Sequence, residues 1–343
     1  IMVGTGVGAG NGILIKSGEA LETTHKVEAV ILDKTGTVTE GKPRVVAIKA
    51  LDRKEEELLA LAATCEQDSE HPLGQAIVEE ARERGLALGK TDHFRSLTGR
   101  GVEARIGERE IYIGNERMME ELKISLGELK AESDAIAAKG QTPMFLVEDG
   151  TLRGIVSVAD TMKPTSVQAI DEMKAMGMEV YMLTGDNRRT AEYIGAQAHV
   201  DHVIAEVLPG DKASVVSRLQ QEGKRVMMVG DGINDAPALA QADVGVAIGS
   251  GSDIAMESSD IVLMKSDLED VAKAIRLSRA TIRNIKQNLF WAFCFNSLGI
   301  PIAAGVLYAF GGPLLNPIFG GLAMSFSSVF VVTNALRLRR VKL

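Results

Sequence analysis

Short apolar runs alternate with helical patterns along most of this chain. The runs are continuous rather than alternating in hydrophobicity, which is typical of strands buried on both faces of a mostly parallel sheet. They lie at residues 27–33, 179–184, 225–231, 244–248 and 260–264. The first run stands far from the other four in sequence. The pattern therefore predicts an α/β sheet domain that is interrupted after its first strand.

The interrupting segment has a pattern of its own. It shows helical periodicity at residues 54–65, 73–84 and 125–139, and hairpin-like strands at 101–113 and 144–158. This mixture predicts an α+β domain inserted into the sheet domain. We therefore expect the sheet domain at 1–43 and 159–270, the inserted domain at 44–158, and a connecting helix with a membrane segment at 271–343. The glycine-rich residues 4–12 contain no phosphate-binding motif, and we interpret them as the cytoplasmic end of a preceding membrane helix.

The C-terminal region contains no charged residue from Gln287 to Ala335. A membrane-spanning helix needs about 20 apolar residues. We expect two spans, at about 288–310 and 315–336, with a break near Gly311, Gly312 and Pro313. Basic residues flank both outer ends, which predicts a hairpin with both ends in the cytoplasm. They are Arg279, Arg283, Lys286, Arg337, Arg339, Arg340 and Lys342. The alternative is a hairpin buried in a soluble core.

Composition excludes several other classes of protein. The formal charge of −8 at pH 7 argues against a non-specific nucleic-acid binder, which needs a basic surface, so we expect no nucleic-acid partner. The 2 cysteines, Cys65 and Cys294, are far apart, so neither a disulfide framework nor a paired-cysteine zinc site is indicated. The length of 343 residues leaves room for two or three domains.

Asp33 is the candidate nucleophile. It follows the first apolar run directly, and an α/β sheet carries its chemistry at the carboxyl ends of its strands. Lys34 and Thr35 can flank a phosphoryl group, and Gly36 lets the backbone turn close beside it. The sequence therefore predicts a phosphate-accepting carboxylate at this strand end.

Three further polar patches follow later strands or precede helices, and we expect them to converge on Asp33. Phosphoryl transfer to a carboxylate needs a metal ion and fixed donors for the phosphoryl oxygens. Asp33 and Asp231 suit Mg²⁺, which prefers oxygen ligands, and Lys212 and the Thr184 hydroxyl suit the donor role. Any one patch alone could be an ordinary turn. The patches are Thr184-Gly185-Asp186, Lys212, and Asp231 with Asn234-Asp235.

These motifs resemble those of the haloacid dehalogenase-like phosphotransferases. The extended run from Asp33 to Thr39 is similar to that of one branch, the P-type ATPases, and the resemblance covers nearly the whole chain. It implies that Asp33 forms an aspartyl-phosphate. It also implies that Mg²⁺ is held by Asp33, Asp231 and the Thr35 carbonyl. The other residues implied at the phosphorylation site are Lys34, Thr184, Gly185, Asp186, Lys212, Asn234 and Asp235.

The inserted segment narrows the resemblance to heavy-metal (type IB) pumps. The run Ser69-Glu70-His71-Pro72-Leu73 resembles their nucleotide-domain motif, and Gly99, Gly101 and Gly114 resemble its glycine-bearing partners. Without the surrounding pattern, His71 would be interpreted as a helix-start residue, because a proline follows it. The resemblance implies that ATP is bound by Glu66, His71, Gly99, Gly101, Gly114 and Asn115.

The apolar C-terminal region indicates which metal is transported. Asn288, Phe295-Asn296 and Pro301 match the spacing in the penultimate helix of Cu(I) pumps, and Met324 with Ser327-Ser328 resembles the motif of the last helix. The resemblance implies Cu⁺ ligands at Asn296, Met324 and Ser328, and a thioether suits this soft ion. The family usually has tyrosine where Phe295 stands, so silver or another soft metal remains an alternative. Asn296 and Ser328 could instead join helices.

Two motifs of the resembling pumps are missing from the sequence, namely Thr-Gly-Glu and Cys-Pro-Cys. We therefore expect the C-terminal part of a larger pump in a prokaryotic cell membrane, with cytoplasmic catalytic domains and slow turnover. Its expected partners are an N-terminal half, with the actuator domain and metal-binding membrane helices, and a copper chaperone. The rival hypotheses are a membrane-tethered phosphatase and a nucleotide-sensing membrane protein.

Overall fold

A computed structural model describes residues 1–97, 99–231, 233–249, 253–312, 316–341 and 343. Three positions used in the predictions above lie outside the described residues, namely Pro313, Leu315 and Lys342.

The described residues form strands and helices in alternation. The strands are β1 (Ile13–Ile15), β2 (Ala29–Asp33), β3 (Thr39–Ala50), β4 (His93–Leu97), β5 (Gly101–Ile106), β6 (Arg109–Gly114), β7 (Thr142–Glu148), β8 (Thr151–Met162), β9 (Glu179–Leu183), β10 (His202–Ile204), β11 (Val226–Gly230), β12 (Val244–Ile248) and β13 (Ile261–Leu263). The helices are α1 (Met2–Gly10), α2 (Gly18–Thr24), α3 (Glu55–Glu66), α4 (Pro72–Glu83), α5 (Glu116–Glu121), α6 (Leu129–Ala138), α7 (Ser166–Ala175), α8 (Arg188–Ala198), α9 (Lys212–Gln221), α10 (Ala236–Gln241), α11 (Asp253–Ser258), α12 (Glu269–Ala303), α13 (Val306–Ala309) and α14 (Pro317–Leu336).

The first sheet has seven strands in the order β1-β13-β12-β11-β2-β9-β10. The pairs β11–β12, β12–β13 and β9–β10 are parallel, whereas β1 pairs with β13 in the antiparallel direction. All residues of β2, β11 and β12 are buried. The prediction of an α/β fold with a mostly parallel sheet is therefore confirmed, because continuous apolar runs did mark strands covered on both faces.

The second sheet has six strands in the order β3-β8-β7-β6-β5-β4, and all of its pairs are antiparallel. In sequence it lies between β2 and β9 of the first sheet. Helices α3 and α4 supply much of its apolar core, with Leu58, Leu59 and Ile77 fully buried. The sequence pattern missed β3 and β4, because their residues alternate between exposed and half-buried positions.

A cluster of arginines fixes the buried end of β7. Arg53, Arg109 and Arg153 lie 2.5, 2.9 and 3.1 Å from the carboxylate oxygens of Glu148. Burial alone would raise the pKa of Glu148, but the guanidinium groups lower it below its usual value. Burying this charge is tolerated because it is paired on several sides.

Contacts between Cα atoms divide the chain into two compact units. Unit 1 comprises residues 1–31, 172–179 and 210–343, and unit 2 comprises residues 32–171 and 180–209. The division falls inside β2, after Ile31.

Unit 1 contains the apolar C-terminal region. Helix α12 is 35 residues long, and its buried side chains end at Asn284. Among the described residues, one stretch, 320–340, is long and apolar enough to cross a membrane by length and composition. The first membrane span was expected at 288–310, but the structure does not have one continuous helix there. Helix α12 ends at Ala303, and Gly305 adopts the left-handed conformation with φ of 92°. Short helix α13 follows this break.

The glycine-rich N-terminus forms helix α1, which packs closely on α12. A Cβ atom at Gly4 would lie 2.6 Å from the Thr281 hydroxyl oxygen, and one at Gly8 would lie 3.1 Å from a Leu277 methyl group. These glycines therefore allow the two helices to approach each other. This packing of small residues does not need a phosphate ligand to explain it.

Candidate functional site

Asp33 is the last residue of β2, and its side chain is buried. The loop after it turns at Gly36, whose φ of 74° is unfavourable for residues with a side chain. The Thr39 hydroxyl oxygen lies 2.9 Å from the Lys34 carbonyl oxygen, and Lys163 donates to the Gly36 carbonyl over 2.5 Å. These contacts fix the loop that follows the candidate nucleophile.

Two of the other predicted residues in unit 2 contact each other. The Lys34 ammonium group lies 2.9 Å from a carboxylate oxygen of Asp186. The backbone N–H of Asp186 donates to the Thr184 hydroxyl over 3.1 Å, and Thr184 is itself buried directly after β9. Gly185 joins the two, and a Cβ atom there would lie 3.3 Å from the Val207 carbonyl. Thr35 is exposed and has an extended backbone.

Unit 1 contributes an ion pair that is buried. Lys212, the first residue of α9, lies 2.7 Å from a carboxylate oxygen of Asp235, and their side chains are 11% and 2% exposed. Asp231 is half-buried directly after β11, whereas Asn234 is exposed in the single helical turn that follows. Within unit 1, Asp231 and Asp235 each have a carboxylate oxygen that could bind a metal ion.

Strand direction explains where these carboxylates lie. The N–H groups of Glu28 and Ala29 both donate to the Arg225 carbonyl, so β2 and β11 begin side by side and run in parallel. Asp231 directly follows β11 in unit 1, and Asp33 ends β2 and belongs to unit 2. The carboxyl ends of strands are the usual ligand sites of an α/β fold.

Unit 2 also contains a cavity of about 380 Å³ beside the second sheet. Apolar side chains form part of its wall, among them Leu73, Leu97, Val102 and Met144. The wall includes five of the six residues predicted to bind nucleotide, namely Glu66, His71, Gly99, Gly101 and Asn115. An apolar slot with a few polar groups suits an adenine ring.

Gly114, the sixth of these residues, is not among the described residues that line this cavity. A Cβ atom at Gly114 would lie 2.3 Å from the Arg100 carbonyl and 2.6 Å from the Met118 sulfur atom. Gly101 is similarly constrained, because a Cβ atom there would lie 2.1 Å from the Ile113 carbonyl. These two glycines bring β5 and β6 together next to the cavity.

Glu66 is the most unusual polar group in this cavity. Its side chain is buried, and its Oε2 atom has no hydrogen-bond partner among the described residues. Burial raises the pKa of Glu66, and a hydrogen bond from Ser69 offsets only part of this effect. A buried acceptor without a partner is costly, so a ligand that donates to Oε2 would be bound favourably.

His71 has a structural contact as well as a place in the cavity wall. Its Nδ1 atom accepts from the backbone N–H of Leu73 over 3.2 Å and so caps α4, which begins at Pro72. A neutral ring in this state carries its proton on Nε2. Asn115 is also a cap, since it accepts from Met118 and begins α5, and its amide nitrogen donates to the Gly99 carbonyl.

The three residues predicted to bind the transported metal line one cavity of about 530 Å³ in unit 1. They are Asn296 on α12 and Met324 and Ser328 on α14. The amide nitrogen of Asn296 donates to the Ala292 carbonyl over 2.8 Å, which leaves its amide oxygen for a cation. The Ser328 hydroxyl donates to the Met324 carbonyl, and its oxygen lone pairs remain accessible.

A chain of amides between α12 and α14 was not foreseen from the sequence. Asn284 donates to the Asn334 carbonyl and Asn334 donates to the Asn288 side chain, each over 2.8 Å. Arg337 donates to the Asn334 side-chain oxygen over 3.0 Å. Asn284 and Asn334 are buried. These bonds hold the two helices together beyond one end of the cavity lined by Asn296.

Lys163 and Asp160 were also missed. Besides the Lys163 contact described above, Asp160 accepts from the Thr39 hydroxyl over 2.5 Å and from the Gly41 N–H over 2.9 Å. Both residues lie at or just beyond the end of β8, more than 100 residues from the loop they contact, and no motif in the sequence joins the two segments.

Several known proteins are similar to this chain in sequence. A family described as haloacid dehalogenase-like hydrolase matches residues 27–243. A copper-exporting P-type ATPase of Bacillus subtilis is 51% identical over all of this chain, which covers 42% of that protein. A copper-exporting P-type ATPase of Legionella pneumophila is 47% identical over all of this chain, which covers 47% of that protein. The chain thus spans about half the length of these relatives.

Solved structures give the same assignment of the fold. The crystal structure of a zinc-transporting PIB-type ATPase in the E2.Pi state matches 99% of this chain with a TM-score of 0.89 and 37% identity, and the match covers 54% of that protein. The catalytic domain of the CPx-ATPase CopB-B matches 78% of this chain and 96% of that domain, with a TM-score of 0.61 and 27% identity.

Proposed function

Because this chain belongs to the haloacid dehalogenase-like hydrolases and, among them, to the P-type ATPases, we propose that it is the phosphate-accepting and ATP-binding part of a heavy-metal pump. In this proposal a carboxylate oxygen of Asp33 attacks the γ-phosphorus of ATP. A new bond forms between that oxygen and phosphorus, the bond from phosphorus to the bridging oxygen breaks, and ADP leaves. The observation that carries the proposal is the buried Asp33 carboxylate, which ends β2 and is followed by a hydrogen-bonded loop.

The surrounding side chains can assist this transfer. The ammonium groups of Lys34 and Lys212 and the Thr184 hydroxyl are suitable donors for phosphoryl oxygens, on which negative charge is spread. Asp33 and Asp231 suit Mg²⁺, since carboxylates are the ligands this ion prefers. Bound Mg²⁺ would offset the repulsion between the nucleophile and the phosphate. The pairing of each lysine with Asp186 or Asp235 keeps it oriented when no phosphate is present.

We propose that the cavity around Glu66 binds the nucleotide. The Oε2 atom of Glu66 would accept from the adenine amino group, and the His71 Nε2–H would donate to the nucleotide. The support is the raised pKa and the unpartnered oxygen of Glu66, together with the position of His71 in the same wall.

A substitution at His71 separates its capping role from a ligand role. His71→Asn keeps a side-chain oxygen that can cap α4, since asparagine is a favoured N-cap residue. We therefore expect thermal stability to change little while ATP affinity, measured by titration calorimetry, falls about tenfold, the effect of one lost hydrogen bond to a charged group. His93→Asn on exposed β4 is the matched control and should leave affinity unchanged. Unaltered ATP binding by the His71 variant would assign His71 to helix capping alone.

We propose Cu⁺ as the transported ion. The named relatives are copper exporters, and the Met324 thioether is a soft ligand of the kind that Cu⁺ prefers over Zn²⁺. The amide oxygen of Asn296 and the hydroxyl of Ser328 would complete this half of the ion site, and further ligands would come from the remaining half of the pump. Silver is the alternative of similar softness. A protein that delivers Cu⁺ is a further partner of such a pump.

Metal selectivity can be tested at Met324. Met324→Leu removes the sulfur and keeps the side chain similar in volume, so Cu⁺ affinity should fall about tenfold or more. Competition with a chromogenic Cu⁺ chelator measures this change in the detergent-solubilised chain. Met118→Leu, in the core of unit 2, is the matched control and should bind Cu⁺ as the native chain does. Equal Cu⁺ affinity in native and Met324→Leu chains would contradict the assignment, as would stronger binding of Zn²⁺ than of Cu⁺.

We also propose a membrane location with the catalytic sheets in the cytoplasm. Large apolar side chains are exposed along the second half of α12 and along α14, including Phe293 at 68%, Leu298 at 63% and Phe326 at 67% exposure. Side chains of this kind are stable against lipid tails and unfavourable in water. Arginines at 279, 283, 337, 339 and 340 fit a cytoplasmic boundary at both helix ends.

A further inference from the structure

A basic cavity of about 610 Å³ lies where α12 changes from polar to apolar sequence. It is distinct from the nucleotide cavity in unit 2 and from the cavity that contains Asn296, and none of the proposed functions uses it. The residues that matter here are His25, Arg279, Arg283, Lys286, Phe290 and Trp291.

The charged side chains that line this cavity are all basic. Arg279, Arg283 and Lys286 are spaced by four and three residues, so they share one face of α12. None of the described residues that line the cavity is acidic. Arg279 uses one guanidinium nitrogen to donate to the Met176 carbonyl over 2.9 Å. Arg283 and Lys286 are exposed and have no ion-pair partner among the described residues. The cavity therefore offers two cationic groups to an anion.

The other wall of the cavity is aromatic. Phe290 is 62% exposed and Trp291 is 39% exposed. Trp291 is held by an edge contact to Phe330 of α14, with ring centroids 5.3 Å apart. Tryptophan rings and basic side chains are the residues that gather at the level of lipid headgroups, because one end of each is apolar and the other is polar. The cavity thus combines anion-binding groups with a wall suited to the upper part of an acyl chain.

We propose that this cavity binds the phosphate headgroup of an anionic phospholipid from the bilayer around α12 and α14. Arg283 and Lys286 contact the phosphate, and Phe290 and Trp291 contact the first carbons of the acyl chains. The proposal rests on the membrane placement of these helices and goes beyond the proposed pump function. A lipid rather than a soluble anion is favoured because the exposed apolar residues Leu289 and Phe293 follow the basic residues directly along α12.

The fluorescence of Trp291 can report on this cavity, because the sequence contains only 1 tryptophan. We would reconstitute the full chain in phosphatidylcholine vesicles that contain equal fractions of either brominated phosphatidylglycerol or brominated phosphatidylcholine. Bromine quenches tryptophan emission at short range. We expect an apparent binding constant about tenfold higher for the anionic lipid, given the attraction of clustered basic residues to anionic headgroups.

Matched variants separate the cavity from general surface charge. Arg283→Gln with Lys286→Gln should bring the two lipids to within about twofold of each other, because the phosphate loses both partners. Arg339→Gln with Arg340→Gln removes two charges on the same membrane side outside the cavity, and it should keep the tenfold preference. Equal quenching by both lipids in the native chain would overturn the proposal, as would an equal loss in the two double variants.

Two further outcomes are also decisive. Inorganic phosphate added to vesicles of phosphatidylcholine alone should leave Trp291 emission unchanged, and a response equal to that of the anionic lipid would replace the lipid with a soluble anion. Absence of quenching by either lipid would remove both this proposal and the membrane placement of α12. The phosphorylation and ATP-binding proposals would stand in that case, because they concern other residues.

Discussion

Replacing Asp33 with asparagine will abolish the formation of an acid-stable, hydroxylamine-sensitive phosphate on this chain. An amide has nearly the same shape as the carboxylate but is a very poor nucleophile, so the loss is chemical rather than structural. We expect labelling by γ-labelled ATP to fall at least about a hundredfold, to the background of the assay. The measurement is acid precipitation after a short incubation with Mg²⁺ and labelled ATP, with and without hydroxylamine.

Asp171→Asn is the matched control for this experiment. Its side chain is 53% exposed and pairs with His199 on the surface of unit 2, so labelling should equal that of the native chain. Equal labelling of the Asp33 and Asp171 variants would refute Asp33 as the acceptor. It would also favour the rival hypothesis of a protein that only senses nucleotide.

The second large effect is expected at Lys212. Lys212→Met removes a cation from a buried pair and leaves the Asp235 carboxylate, only 2% exposed, without this partner. Breaking such a pair costs about 3–5 kcal/mol. The free energy of unfolding of the sheet domain should fall by about this amount, and phosphate labelling at Asp33 should be lost. Hydrogen exchange of the β11 amides, followed by mass spectrometry, measures the change in stability.

A double variant tests whether the lost stability comes from the unpaired Asp235 carboxylate. Lys212→Met with Asp235→Asn leaves no isolated buried charge, so most of the lost stability should return while labelling stays absent. Lys224→Met is the control, because its 2.6 Å pair with Glu179 is more exposed and should be worth no more than about 1 kcal/mol. Recovery of labelling together with stability would show that Lys212 acts only by supporting the fold.

The strands of the first sheet were predictable where burial left a long apolar run. The run at 27–33 contains β2, and the run at 225–231 contains β11, each with a boundary shift of one or two residues. The strands β1 and β10 were missed because they are short edge strands with exposed or half-buried residues, whereas β13, equally short, is fully buried and lies in the run at 260–264. His202 begins β10 and stacks on Tyr181 with ring centroids 4.5 Å apart.

The candidate sites were predictable from motifs, but their supporting contacts were not. Asp33 and the Glu66–His71 region stand out in the sequence because their residue types and spacing match one chemistry. The contact of Lys163 with Gly36 joins residues far apart in the chain, and only the packing of β8 against β3 brings them together. The raised pKa of Glu66 likewise depends on burial by neighbouring elements, which no local pattern encodes.

Helix α12 runs without a break from the sheet domain to the cavity that contains Asn296. At 1.5 Å per residue a helix of this length measures about 52 Å. Its first half is embedded among sheet-domain side chains, and its second half carries Asn296. No loop interrupts α12 between these two halves. The hydrogen bonds that link Asn284, Asn288 and Asn334 join α14 to the same helix. In the proposed pump, movement of this rigid helix would therefore couple phosphorylation to the ion site. No direct contact between phosphate and metal would be needed.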